Sequence, residues 1–154
     1  MILIDGDSCS KLHITVKIAK ENNIECHIYC NTHSMLESNY ASIHVVSDEK
    51  DAADFAIIKM CKPNDIVITN DSGLAAMVLS RGGFAVSCKG YEFTKENIDT
   101  YLSSRHIRKY ESRKRNIRRV NGMKQPNHSH ADYSHTLRSV IQKSQEGDAN
   151  GNSR

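Results

Sequence analysis

The chain has 154 residues, of which 38% are hydrophobic and 25% charged, a length and composition that suit one domain with its own core. No apolar run approaches the roughly 18–20 residues that span a bilayer, and the amino terminus lacks the basic-then-apolar layout of a signal peptide, so we expect a cytoplasmic protein without membrane contact. The net charge of +3 is unevenly distributed: residues 1–104 carry 9 basic and 14 acidic residues, whereas residues 105–124 carry 9 basic and 1 acidic.

Strand and helix patterns alternate along the first hundred residues. Apolar, β-branched runs of buried-strand length predict five strands, at 2–5, 24–30, 43–46, 65–69 and 84–88. The segments between them predict helices from a Ser8 or Ser10 cap to Asn22, over 49–62, over 72–80, and from Thr94 onward. This alternation indicates a three-layer α/β/α fold around a mainly parallel sheet of about five strands.

A C-terminal extension follows this domain of residues 1–104. The helical pattern continues from Thr94 and can reach Val120. We name the strongly basic segment at residues 105–124 the basic arm. A polar loop is predicted at 125–135. Spacing of i, i+3, i+4 then predicts a short docking helix whose apolar residues are Leu137, Val140 and Ile141. We assign residues 105–143 to the extension and residues 144–154 to a disordered polar tail.

Two of the predicted strands end at carboxylates. The run Ile2–Ile4 leads into Asp5-Gly6-Asp7, and the run Ile66–Ile68 leads into Thr69-Asn70-Asp71. Ligands of open parallel sheets bind at the carboxyl ends of strands where the strand order reverses, so neighbouring strands would place these acids in one pocket. Helix capping by Asp7 or Asp71 is the alternative role.

The predicted helix 49–62 contributes another carboxylate. Its apolar stripe passes through Ile57 and Cys61 and, one turn earlier, through Asp54. A carboxylate on a buried face is unfavourable unless it is paired or binds a metal, so Asp54 joins the candidate pocket. Asp51 is interpreted as a first-turn acid that complements the helix dipole, behind a cap at Ser47 or Asp48. Asp65 is assigned to a structural turn.

The four carboxylates Asp5, Asp7, Asp54 and Asp71 predict a Mg²⁺ or Mn²⁺ site, because these ions prefer oxygen ligands and keep several waters. Such an ion can activate water and neutralise charge on a phosphodiester. Thr69 can orient a carboxylate or a water there, or it can be an ordinary strand threonine. The five cysteines form no C-x-x-C pair, and Cys9 is interpreted as a packed thiol.

The basic arm has the charge pattern of a polyanion-binding segment, because lysine and arginine clusters attract phosphates irrespective of sequence. A solvated helix face is the alternative. The predicted nucleic-acid contacts are Arg105, Arg108, Lys109, Arg113, Lys114, Arg115, Arg118 and Arg119. Histidines 128, 130 and 135 of the following loop can form a metal site, although polar loops often carry histidines without such a role.

Four motifs match, in order, those of one protein family. Asp5-Gly6-Asp7-Ser8-Cys9-Ser10 stands where that family has D-A-D-A-C-P, and Asp51-Ala52-Ala53-Asp54 where it has D-x-A-D. The stretches Asn64–Asp71 and Gly90–Ile98 complete the match over roughly residues 1–105. The chain resembles the YaiI/YqxD family, uncharacterised bacterial proteins whose fold is similar to that of PIN-domain nucleases.

The resemblance implies a PIN-like sheet with acidic residues at Asp5, Asp7, Asp54 and Asp71. Gly6 and Asn64 depart from the usual alanine and glycine, and the C-terminal G-P-x-x-F pattern of the family has no counterpart here. We therefore predict a Mg²⁺- or Mn²⁺-dependent phosphodiesterase that acts on nucleic acid, with RNA favoured by fold analogy alone. The alternative is a noncatalytic RNA- or ribosome-associated binding module on a degenerate nuclease scaffold.

Overall fold

The computed structural model describes residues 1–113 and 130–151. The helices and strands of these residues are, in chain order, β1 (Ile2–Asp5), α1 (Leu12–Glu21), β2 (Cys26–Cys30), β3 (Ser42–Val45), α2 (Ala52–Met60), β4 (Ile66–Ile68), α3 (Ser72–Ser80), β5 (Phe84–Val86), β6 (Glu92–Phe93), α4 (Ile98–Arg113) and α5 (His130–Gly151). Among these helices, none combines the length and apolar character that a bilayer span requires.

The strands form one sheet in the order β3-β2-β1-β4-β5-β6. The first five are parallel, and β6 pairs antiparallel with β5. In the central register, Ile4 of β1 lies between Ile28 of β2 and Ile68 of β4. The strand order reverses between β1 and β4, so their carboxyl ends form the crevice in which ligands of such sheets bind. The predicted mainly parallel sheet is confirmed, with β6 as a sixth strand too short for its alternation to be recognised in the sequence.

Helices cover both faces of the sheet, which confirms the three layers. Alternate residues of β1 point to opposite faces. Ile2 and Ile4 belong to a core with residues of α1 and α5, whereas Leu3 belongs to a second core with residues of α2 and α3. Every residue of β1 is therefore buried, including the terminal carboxylate Asp5.

The predicted caps of α1 and α2 are wrong. Helix α1 begins after Lys11 without a side-chain cap, because the Ser8 hydroxyl donates to Asp5 instead. Helix α2 begins only after Asp51, whose φ of 62° is left-handed and whose side chain makes no capping bond. The Asp48 carboxylate accepts from the backbone N–H and hydroxyl of Thr32 in the β2–β3 loop, which takes it away from α2.

Asp65 has the structural role predicted for it. It accepts from the Met1 ammonium at 2.7 Å and from the Lys62 backbone N–H at 2.8 Å. These bonds join the start of β1 to the turn before β4. Asn64 in that turn has a φ of 68°, a left-handed conformation that asparagine tolerates better than most residues, so it can replace the glycine usual in the family.

Helix α4 is anchored by aromatic packing. Tyr101 stacks on Tyr91 with ring centroids 4.7 Å apart and meets Phe93 edge-on at 5.1 Å. The helix starts at Ile98 rather than at the predicted Thr94, because the Asn97 side chain accepts from the Thr94 backbone N–H and closes a turn there. It continues past residue 102 as predicted, to Arg113; residues 114–129 lie outside the described part of the chain.

Helix α5 is much longer than the predicted docking helix and occupies residues assigned to a loop and to a disordered tail. Leu137, Val140 and Ile141 are buried as predicted. The helix extends at both ends because polar groups there also find partners. Tyr133 is fully buried and shares a hydrogen bond with Thr15 of α1. The Ser144 hydroxyl donates to the Asn64 carbonyl at 2.6 Å.

The docking of α5 can be tested at its fully buried Leu137. We expect Leu137→Ala to lower the free energy of unfolding by about 2–5 kcal/mol, because it leaves a cavity between α5 and the sheet. The exposed residue Ser139 on the same helix provides a control. Ser139→Ala should change the free energy of unfolding by less than about 0.5 kcal/mol. Chemical denaturation measures both variants, and equal stabilities would contradict a docked α5.

Candidate functional site

A cleft of about 410 Å³ opens at the carboxyl ends of β1 and β4. We name it the acidic cleft, because its lining includes the carboxylates Asp5, Asp7, Asp48, Glu49, Asp51, Asp54 and Asp71. The four predicted site residues, which are separated by up to 66 positions in the chain, all contribute to this lining. Its potential is therefore negative, which favours cations and repels a bare phosphate.

Asp5 is the most deeply placed of these acids, with 6% of its surface exposed. Its Oδ2 accepts from the Ser8 hydroxyl at 2.7 Å and from the Thr69 hydroxyl at 3.0 Å. Thr69 in turn accepts from the Asp71 backbone N–H at 3.0 Å. The Thr69 hydroxyl thus links the ends of β1 and β4, so of its two predicted roles the structure has the one in which it orients a carboxylate.

Asp71 caps α3 and also lines the acidic cleft. Its Oδ1 accepts from the backbone N–H groups of Gly73 at 2.7 Å and Leu74 at 3.2 Å. The same oxygen accepts from Arg105 Nη1 of α4 at 2.7 Å. The capping alternative considered for Asp71 is therefore real, and it coexists with a place in the cleft. The ion pair with Arg105 is a contact that the sequence did not predict, because 34 residues separate its partners.

Asp7 holds the rim of the cleft in place and does not cap α1. Its carboxylate accepts from the Asn31 backbone N–H at 3.1 Å and from the Ser34 hydroxyl at 2.9 Å. Gly6 lets the chain after β1 lie close against β2, since a Cβ there would lie 2.9 Å from both the Ile28 side chain and the Tyr29 carbonyl oxygen. This close approach accounts for a glycine at position 6.

Asp54 lies in the first turn of α2 and is half-buried. Burial, followed by the negative charges of Asp71, Asp5 and Asp51, raises the pKa of its carboxyl to about 6. Arg105 opposes this shift. Burial is thus the main cause of the raised pKa, and repulsion from the neighbouring carboxylates adds to it, so Asp54 changes protonation near pH 6.

Asn70 is a structural residue beside the site that the sequence interpretation passed over. Its side chain donates to the Ser8 carbonyl at 2.7 Å and accepts from the Ser87 hydroxyl at 2.8 Å and the Cys88 backbone N–H at 3.1 Å. It therefore joins the loops that follow β1, β4 and β5. Its position between Thr69 and Asp71 at a strand end was the available signal.

The described lining of the cleft includes neither Cys9 nor His135. Cys9 is buried, and contact with the Cys88 thiol together with burial raises the pKa of its own thiol, which agrees with its interpretation as a packed residue. Of the three predicted histidines, His130 and His135 belong to α5, and His128 is outside the described residues. Of the predicted nucleic-acid contacts, four belong to α4: Arg105, Arg108, Lys109 and Arg113. The other four lie outside the described residues: Lys114, Arg115, Arg118 and Arg119.

The cleft is not a closed metal cage. Within residues 1–113 and 130–151, no group of three or more His, Cys, Asp or Glu side chains comes close enough to hold an ion between them. The carboxylates line a wide opening instead. An ion held there would have to keep part of its water shell, which Mg²⁺ commonly does.

The raised pKa of Asp54 predicts a pH-dependent stability. The folded protein binds the Asp54 proton up to about pH 6, whereas the unfolded chain loses it near 3.8, so this group makes folding less favourable as the pH rises through that interval. We expect Asp54→Asn to raise the free energy of unfolding at pH 7 by about 1 kcal/mol, since solvent screens part of the repulsion at this half-buried site. The gain should vanish below about pH 4.

Urea denaturation at several pH values measures this effect. Glu96→Gln serves as the control, because Glu96 is exposed in the turn before α4. Its free energy of unfolding should follow the wild-type pH dependence within about 0.5 kcal/mol. An Asp54→Asn gain of the same size at every pH would show that charge repulsion is not its cause.

The sequence comparisons concern the same part of the chain. The profile of a family described as uncharacterised, YaiI/YqxD, matches residues 3–143. A UPF0178 protein of Clostridium tetani is 42% identical over 69% of this chain and 73% of its own length. A UPF0178 protein of Lachnoclostridium phytofermentans is 36% identical over 91% of this chain and 95% of its own length. No solved structure matches, so the PIN-like character of the fold stays a prediction. The chain belongs to the YaiI/YqxD family.

Proposed function

We propose that the protein is a Mg²⁺- or Mn²⁺-dependent phosphodiesterase that acts on nucleic acid, with RNA favoured by fold analogy. The observation that carries the proposal is the gathering of Asp5, Asp7, Asp54 and Asp71 in one cleft where the strand order reverses. Like charges placed together destabilise a fold unless a cation or a shared proton offsets them. Such repulsion, from Asp71, Asp5 and Asp51, adds to the effect of burial in raising the pKa of Asp54.

The residues of the cleft fit a hard divalent cation by type. The acids are oxygen donors, and carboxylate oxygens suit Mg²⁺ and Mn²⁺. Because their spacing does not allow three of them to grip an ion directly, we expect contacts that are partly mediated by water. Asp5 and Asp71, at the ends of the two central strands, would hold the principal ion, and Asp7 and Asp54 would complete the acidic ring.

When bound, such an ion activates water and neutralises charge that develops on a phosphodiester. The chain's own groups have separate tasks. Ser8 and Thr69 fix the orientation of Asp5 through its Oδ2. Asp54, in the first turn of α2, adds a further carboxylate to the lining of the cleft.

We propose that the basic arm, which begins at Arg105 beside the cleft, holds the substrate. Arg105 reaches Asp71, so α4 passes beside the cleft, and Arg108, Lys109 and Arg113 follow along the same helix. Basic residues next to an acidic cation site can bind the phosphates that the cleft alone would repel.

The five cysteines are buried free thiols, as expected of a cytoplasmic protein.

A second candidate is favoured by one observation. The bonds of Asp71 Oδ1 belong to a helix cap and an ion pair, and the described residues contain no closed metal cluster. On that view the acids are structural, and the chain is a noncatalytic RNA- or ribosome-associated binding module whose function lies in the basic arm.

Cleavage of single-stranded RNA in Mn²⁺ tests the proposed chemistry. We expect Asp5→Asn and Asp71→Asn each to lower the rate by at least about 100-fold, because they remove ligand charge. Both folds should persist: asparagine caps helices as well as aspartate, and its side-chain oxygen can still accept from Ser8 and Thr69. Asp48→Asn, a change at the rim of the same cleft, is the control and should keep most of the activity. Activity that survives both central substitutions would refute the catalytic assignment.

Thermal stability with and without Mn²⁺ separates the two candidate functions. At about ten times its Kd, Mn²⁺ should raise the Tm of the wild type by about 3–6 °C, and it should not raise that of Asp71→Asn. RNA binding that weakens steeply with salt in a protein without a Mn²⁺ response would favour the binding module instead.

A further inference from the structure

Arg105 and Asp71 form an ion pair at the edge of the acidic cleft. Nη1 lies 2.7 Å from Oδ1, with the arginine side chain 53% and the aspartate side chain 29% exposed. The guanidinium therefore places a positive charge beside a carboxylate that lines the cleft. The guanidinium also opposes the rise in the pKa of Asp54, so its charge acts on a second carboxylate of the cleft.

The position of Asp71 does not depend on this ion pair. The backbone N–H groups of Gly73 and Leu74 hold the same oxygen, as the cap of α3. Loss of the guanidinium would leave these bonds in place. Arg105 is therefore a removable partner of a carboxylate that the helix already holds.

Gly73 provides the space for the contact. A Cβ at this position would lie 2.7 Å from Arg105 Nη1 and 3.0 Å from Asp71 Oδ1. The open space at residue 73 is thus used by the arginine, which would have to move if a side chain stood there.

The helix that carries Arg105 is fixed, whereas the side chain is long and half-exposed. Tyr101, one turn earlier on the same face of α4, stacks on Tyr91 and packs against Phe93. The guanidinium can change partners while α4 stays in place. Its planar fork of N–H donors fits a phosphate as well as a carboxylate.

We infer that Arg105 couples the binding of nucleic acid to the binding of the cation, an inference that rests on the proposed function. Without ligands, Arg105 pairs with Asp71 and opposes a cation there by like-charge repulsion. When a phosphodiester enters, the guanidinium turns to the phosphate and releases Asp71 for the ion. Arg105 is thus a positioning residue that makes the cleft take up the cation most readily when substrate is present.

Mn²⁺ titration, with free Mn²⁺ followed by EPR at low ionic strength, tests the first half of the inference. Arg105→Gln should bind Mn²⁺ about three- to fivefold more tightly than the wild type, since a competing charge is removed. Gly73→Ala should shift the affinity in the same direction by displacing the guanidinium, and Arg105→Lys should stay close to the wild type. Arg138→Gln is the matched control: Arg138 is 51% exposed and pairs with Glu21 at 2.6 Å, away from the cleft.

The second half is tested by repeating the titration with a short single-stranded phosphorothioate oligonucleotide. We expect the oligonucleotide to tighten Mn²⁺ binding about threefold or more in the wild type and not in Arg105→Gln. A methylphosphonate oligonucleotide, which lacks backbone charge, should have no effect in either protein.

The outcomes distinguish this inference from the proposed function. If the wild type binds Mn²⁺ and Arg105→Gln binds it equally or more weakly, the coupling role is refuted and the metal site stands. The coupling role is likewise refuted, and the metal site stands, if the oligonucleotide still tightens Mn²⁺ binding in Arg105→Gln. If neither protein binds Mn²⁺ while Arg105→Gln loses RNA affinity, the metal-dependent function fails and the coupling role fails with it.

Discussion

The position of β1 between β2 and β4 is the constraint on which the rest of the structure depends. Its residues are buried because strands cover both edges and helices cover both faces. A parallel sheet brings the carboxyl ends of its strands to one edge, and the reversal of order beside β1 opens a crevice there. Asp5 has to stand at this crevice, because it is the last residue of the central strand.

The cleft carboxylates are kept in place by different means. Asp5 accepts from two hydroxyls, and Asp71 accepts from the helix N-terminus and from Arg105. Asp54 retains its proton to about pH 6, because it is half-buried and because Asp71, Asp5 and Asp51 repel its charged form. Folds that gather unbalanced charge in this way usually do so at functional sites. The carboxylates whose repulsion reduces stability are therefore the same groups that the proposed cation would contact.

Much of the fold followed from patterns within short windows of sequence. Strands β1 and β4, helix α3, and the buried residues Leu137 and Val140 were predictable because burial imposes a period of two or 3.6 residues. The starts of α1 and α2 were not, because the Ser8 hydroxyl and the Asp48 carboxylate expected to cap them are engaged by Asp5 and Thr32 in the folded chain. The length of α5 was missed for the same reason, since its polar ends are held by residues far away in the chain.

The sequence by itself determined that acidic residues follow two buried strands and that another lies on the apolar stripe of a helix. It also determined that a run of basic residues follows the domain. Periodicity and composition are local properties, so these conclusions needed no coordinates. Only the tertiary structure decided that Thr69 links Asp5 to Asp71 across 64 residues and that Arg105 pairs with Asp71. Such contacts depend on strand order and on the packing of α4 against α3 and β6. No local pattern encodes them, because the same acids and bases could have faced other partners in a different arrangement of the same elements.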